Sequence, residues 1–299
     1  ILAGRNSLNG SEETQIHHGA LGIDGSLRMM DKRLTLNGFS SLTVDQAGES
    51  AMGNSSKLQL NYKGARWRPY LGILRTDASF DPKLGFVRRT DALRMNTGTG
   101  WIHRLPKGSV SSIYVSPSLS ELFSADGERS LGRTVNLHNS VSFRNGFGVE
   151  GSVGYSVDVV EEDFTLPTDQ EITADRYDGM YLSIGASTPW NRTPRLSAEY
   201  TWFDGFYGGN QQSVNASLST YLGAHLRASA GGNLSWFTIP GYDSERTLTM
   251  NSSLTFAATP RLFWENNVQG NTVSKSGRVM SRIRWRYLPG SDLFLVYQE

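Results

Sequence analysis

Along much of this chain apolar and polar residues alternate one by one. Between 225 and 236, Leu226, Ala228, Ala230, Gly232, Leu234 and Trp236 share one parity, and His225, Arg227, Ser229, Gly231, Asn233 and Ser235 the other. Residues 149–159 repeat the pattern, with Val149, Val153, Tyr155, Val157 and Val159 against Glu150, Ser152, Ser156 and Asp158. So do 180–190 (Met180, Leu182, Ile184, Ala186, Trp190) and 246–258 (Leu248, Met250, Leu254, Phe256). Successive side chains of an extended strand point to opposite faces, so each segment predicts a strand with one apolar and one polar face. Ordinary strands run to about 5–6 residues, whereas a tilted strand that crosses a bilayer needs about 9–11. These segments have the membrane length.

The joins carry a second pattern. Tight turns are predicted near Asp31-Lys32, Lys63-Gly64, Pro106-Lys107-Gly108, Asn145-Gly146, Asn191-Arg192-Thr193-Pro194, Tyr221-Leu222-Gly223, Thr259-Pro260 and Pro289-Gly290-Ser291-Asp292. Between them fall longer, mostly polar connections near 47–56, 77–91, 126–132, 163–175, 204–211, 239–245 and 273–277. Alternating short and long connections mark outer-membrane barrels, whose short turns face the periplasm and whose long loops face outward. The count is about sixteen strands plus a fragment before residue 5, so the expected fold is all-β, an antiparallel up-and-down transmembrane barrel of about 16–18 strands or more. Residues 1–299 read as one such domain.

Tryptophan placement agrees. Trp67, Trp101, Trp190, Trp264 and Trp285 lie near short turns, and Trp202 and Trp236 toward the long-loop ends, all on the apolar parity. Amphipathic rings prefer the headgroup level, so two such belts are expected at membrane interfaces. A soluble propeller or solenoid would show an internal repeat, and none is visible.

Composition changes the picture little. Net charge is +1, so no overall field recruits nucleic acid. The absence of cysteine excludes a disulfide scaffold or a thiolate metal site. Mean hydropathy is −0.38 and no run of about 18 apolar residues occurs, which excludes a transmembrane helix but leaves a barrel open. The chain opens at Ile1-Leu2-Ala3-Gly4 without a signal peptide, and Leu293-Phe294-Leu295-Val296-Tyr297 reads as a strand stopping in mid-course. Both ends are therefore expected to be truncated.

Two stretches carry a family resemblance. The first is Phe80-Asp81-Pro82-Lys83-Leu84-Gly85-Phe86-Val87-Arg88-Arg89-Thr90-Asp91, followed by Leu93 and Met95. The second is Arg282-Ile283-Arg284-Trp285-Arg286-Tyr287-Leu288-Pro289-Gly290-Ser291-Asp292-Leu293-Phe294-Leu295-Val296-Tyr297. Both resemble an uncharacterised bacterial outer-membrane barrel domain that commonly follows a carbohydrate-binding module of the family 9 type. The resemblance implies an amino-terminal module and a final strand outside this sequence, and it brings no catalytic residues.

Candidate chemistry is sparse. His17, His18, His103, His138 and His225 show no metal-ligand spacing, and the adjacent pair points to opposite faces of one strand. Glu161, Glu162, Asp163, Asp204 and Asp243 read as solvated loop carboxylates without a matching histidine. They lack the oxygen-ligand spacing of a calcium site. No catalytic residue, cofactor or metal is therefore assigned. Arg282, Arg284 and Arg286 alternate with apolar residues and are expected to face the lumen, with Glu265 on the preceding strand as a partner. The segment 77–91 carries Phe80, Leu84, Phe86 and Val87. It reads either as a longer strand pair with a bulge at Gly85 or as a loop folded inward, with Arg88 and Arg89 facing the pore.

The expected function is a channel or translocation pore for polar solutes or glycans in a Gram-negative outer membrane. Its expected partners are membrane lipid, lipopolysaccharide and other envelope proteins or glycans. The alternatives are a plugged anchor or secretion partner that displays a soluble carbohydrate-binding module, and an outer-membrane hydrolase.

Overall fold

The computed structural model describes residues 3–7, 16–45, 51–83, 87, 89–189 and 191–299, with side chains for all of these except 3–7, 16–18, 45 and 51. Six strands come first: β1 (Ala3–Ser7), β2 (Ile16–Met29), β3 (Leu34–Asp45), β4 (Ala51–Tyr62), β5 (Trp67–Thr76) and β6 (Ala92–Arg104). Then come β7 (Val110–Phe123), β8 (Ser130–Phe143), β9 (Gly148–Val159) and the two-residue strands β10 (Phe164–Thr165) and β11 (Glu171–Ile172). The last eight are β12 (Arg176–Ser187), β13 (Arg195–Phe206), β14 (Gly209–Leu222), β15 (Leu226–Thr238), β16 (Glu245–Thr259), β17 (Leu262–Asn271), β18 (Ser276–Leu288) and β19 (Ser291–Gln298). All but β10 and β11 belong to one 17-stranded sheet. The fold is all-β and antiparallel, and no helix occurs among the described residues.

The chain divides into two compact units. The first comprises Ile1–His103, Val115–Leu137 and Ser156–Val159, the second Arg104–Tyr114, His138–Tyr155 and Val160–Glu299. In the first, β1 to β6 pair consecutively and antiparallel. In the second, β12 to β19 do the same, while β10 and β11 form their own small hairpin. Both units run strictly up and down.

Turn chemistry explains where the long strands stop. Gly146 after β8 and Gly290 after β18 have φ of 87° and 82°, a conformation that a side chain makes costly. The connection expected over 204–211 is shorter than its polarity suggested. β13 runs to Phe206 and β14 starts at Gly209, leaving Tyr207-Gly208 as a two-residue turn with φ of 47° and 79°. Two successive positive φ values match the right-handed twist of a hairpin, so the strands continue up to the turn. Likewise β4 begins at Ala51, inside the connection expected over 47–56.

The apolar parity stays uncovered in both units. Ile23 is 76% exposed, Leu58 52%, Leu182 49% and Ile184 59%. Among the described residues only Phe80, Ala92, Leu131, Ile172, Phe237 and Ile239 are buried hydrophobics. A soluble chain of this length would bury roughly three-quarters of its unfolded surface, most of it around apolar cores. Among the described residues no second layer covers the apolar face of either unit. In the second unit Ile172, Phe237 and Ile239 form a small core with Val160, Leu166, Tyr177, Phe206 and Tyr207. That core ties the β10–β11 hairpin to the ends of β12, β13 and β15.

Candidate functional site

The strand register of the first unit fixes its polar face. Asp24, Phe39, Lys57, Leu74 and Arg94 are successive partners across β2 to β6, and Ser41, Ser55, Thr76 and Ala92 form the adjacent row across β3 to β6. The described residues of the segment 77–91 (77–83, 87 and 89–91) fold over this face. None of the described residues in the segment is in a strand, which corrects the strand-pair reading, while Gly85 itself lies outside the described residues. The Asp81 N–H donates to Thr43 Oγ1 at 3.1 Å, the Asn54 N–H to Asp77 Oδ2 at 3.1 Å, and the Ser79 hydroxyl to the Met52 carbonyl at 2.6 Å.

Phe80 is buried against Gly53, where any Cβ would stand 2.3 Å from the Phe80 nitrogen. Thr43, Ser55 and Thr76 are buried beneath the segment, and the last two share a hydroxyl hydrogen bond of 3.1 Å. An indented cavity of about 450 Å³ remains between the segment and the sheet. Its wall includes Phe39, Leu74, Phe80, Arg89 and Arg94. Arg88, expected beside Arg89, lies outside the described residues.

The second unit has two kinds of polar wall. Across β13 to β16 the polar face carries Ser197, Asn215, Ser217, Ser229, Asn233 and Asn251 around a cavity of about 890 Å³. Hydroxyl pairs stitch it: Ser197 with Ser217, and Ser229 with Ser253, both at 2.7 Å. Across β17 to β19 the wall is charged. Arg282 is ion-paired with Glu265, its register partner on β17. Arg284 Nη2 donates to Asp292 at 2.8 Å and Arg286 Nε to the other oxygen of the same carboxylate at 3.3 Å. The guanidiniums of Arg282 and Arg284 also lie over the Phe294 ring, at 5.7 and 5.9 Å.

Six of the seven tryptophans show how the apolar parity ends. Trp67, Trp101, Trp264 and Trp285 are all about half exposed near short turns, and Trp264 Nε1 donates to Ser281 Oγ at 2.9 Å. Trp236, like Trp202, is half-buried toward the other strand ends; Trp190 lies outside the described residues. One pair escaped sequence reasoning: His138 Nδ1 lies 3.1 Å from Ser152 Oγ, with the Tyr114 ring edge-on to the imidazole. No carboxylate contacts that imidazole among the described residues, so a triad is not assembled there. Of the loop carboxylates, Asp163 Oδ1 accepts the Ala174 N–H at 2.6 Å, a role within the loop. Among the described residues no three metal-ligating side chains converge.

No protein-family model and no curated protein matches the chain. One solved structure, a triple mutant of the Rh. blastica porin, aligns over 97% of this chain and 94% of its own. Identity is 11% and the TM-score 0.41, too weak a likeness to assign anything.

Proposed function

We propose that the sheet closes into a Gram-negative outer-membrane barrel whose lumen passes small polar solutes. The observation that carries this reading is the uncovered apolar face. A sheet with no second protein layer on its apolar side is stable only if another apolar phase covers it, and bilayer hydrocarbon is that phase. Backbone groups in hydrocarbon must all be paired, so the sheet must close. A barrel of sixteen or more strands encloses an aqueous channel unless it is plugged.

The polar face supports passage of small polar solutes, since it is rich in hydroxyls and amides and its Arg282, Arg284 and Arg286 charges are largely matched. Short turns would then face the periplasm, and the β10–β11 hairpin with its aromatic core would face outward among lipopolysaccharide. The plugged-anchor reading draws on residues 77–83, which cover part of the polar face. It would suit a barrel that displays an amino-terminal carbohydrate-binding module. Single-channel recording in planar bilayers separates the two: discrete conductance steps support the channel, and a silent but correctly folded protein supports the anchor.

A further inference from the structure

We propose that the cavity that Phe80, Pro82, Val87 and Arg89 enclose with the polar face of β3 to β6 binds small organic acids with an apolar body, such as aryl or branched-chain carboxylates. Arg94 is the carboxylate partner. The cavity's place in solute passage rests on the channel reading, but binding itself does not.

Charge balance singles out Arg94. Four acidic side chains of the neighbouring segments already have a cation: Asp77 pairs with Arg75, Asp81 with Lys83, Asp91 with Arg129 and Glu121 with Arg133. Arg94 pairs with no carboxylate among the described residues. Asp24, the acid on its own strand row, is four strands away. At about 4.8 Å per strand that is roughly 19 Å, more than twice the screening length of about 8 Å at physiological salt. The exposed Lys57, two strands away, adds a second positive charge. A half-buried guanidinium on a cavity wall, with a planar fork of donors and no acid, suits a carboxylate held by two parallel bonds.

The rest of the wall sets the ligand's body. Phe39, Leu74 and Phe80 line the same cavity. Inorganic phosphate or a polyhydroxylated sugar would leave that surface unused and lose hydration against it. The buried Ser55 and Thr76 hydroxyls bond to each other and offer little to a sugar. About 450 Å³ falls within the ~300–1,000 Å³ of ordinary small-molecule sites.

The test uses the full chain refolded in lipid nanodiscs, with empty nanodiscs as the blank, and benzoate as the probe. Equilibrium dialysis should show benzoate binding more tightly than acetate, inorganic phosphate or benzyl alcohol. Arg94→Gln should weaken benzoate roughly 10- to 100-fold, the usual worth of a charged hydrogen bond, and Arg94→Lys should restore part of it. Phe39→Ala should weaken benzoate but leave acetate unchanged, and it keeps the proposal testable if Arg94→Gln fails to fold. Equal binding by wild type and Arg94→Gln, or phosphate binding as tightly as benzoate, would overturn the assignment. Channels that conduct yet bind no benzoate refute this site alone. Benzoate binding by a silent barrel refutes the channel and leaves the site standing.

Discussion

Arg282 and Glu265 face each other in the register of β17 and β18, and Arg282 Nε donates to Glu265 Oε2 at 2.8 Å. With Asp292 bridging Arg284 and Arg286, three guanidiniums share two carboxylates. The arginine ladder is therefore nearly neutral wall, not a free cationic strip. Glu265→Gln should leave Arg282 uncompensated and raise anion preference, read as a shift in reversal potential across a salt gradient. Stability should fall by no more than about 1 kcal/mol, because both side chains keep contact with water. An unchanged reversal potential in a conducting barrel would mean that this wall does not border the permeation path.

The long strands were legible because parity is a local signal: Leu182 against Ser183, or Leu234 against Asn233, needs no knowledge of neighbours. Among the described residues, sixteen long strands and a short β1 match the count from alternation. Contacts between distant loops were not legible. Ile172 sits in a stretch that reads as polar, and it is buried only because Phe237 and Ile239 come to it from another hairpin. Asp292 could have been found. A tight turn at Pro289-Gly290 forces Arg286 opposite Asp292, which the register shows. Arg94 could not, since its isolation depends on which acids the loop 77–91 takes for itself.

Gly53 is where β4 admits the segment 77–91. Gly53→Ala would put a methyl 2.3–2.4 Å from Phe80 backbone atoms, so the segment must lift. Trypsin should then cut at Lys83 or Arg89 much faster than in the wild type, while heat-modifiable gel mobility persists. Unchanged cleavage would show that the contact does not hold the segment down.

Asp126 lies in the loop after β7. Its carboxyl is held below the ordinary value of 3.8, first by the Ser124 hydroxyl and then by the Glu128 N–H at 2.9 Å. A depressed acid stabilises the loop at pH above its unfolded pKa, and the contribution is lost as pH falls through the lower folded value. The Glu128 amide, which donates to Asp126 Oδ1, should stay protected from exchange at pH 5 and lose protection only in stronger acid. Ser124→Ala should move that loss to higher pH. A titration midpoint unaffected by Ser124→Ala would contradict the assigned cause.

Orientation has its own test. A short epitope inserted after Gly127 should be reached by antibody on intact cells, and one inserted after Asn191, in a short turn, only after the outer membrane is opened. The opposite pattern would reverse the barrel in the membrane.

The membrane assignment itself stands or falls on neighbouring residues of opposite parity. Leu182 is 49% exposed on the apolar face of β12, and its register partner is Trp202 on β13. Ser183, one residue on, is half-buried on the polar face opposite Thr201. In hydrocarbon an arginine near the midplane costs roughly 2–4 kcal/mol, whereas one that faces a water-filled lumen costs little. Leu182→Arg should therefore destabilise the barrel by up to that amount in urea titrations of folding into lipid vesicles, and Ser183→Arg should stay close to the wild type. If water covered both faces, removing an exposed leucine would cost almost nothing and the two variants would behave alike. Equal midpoints would thus show that Leu182 does not meet lipid, and the channel reading would lose the apolar face on which it depends.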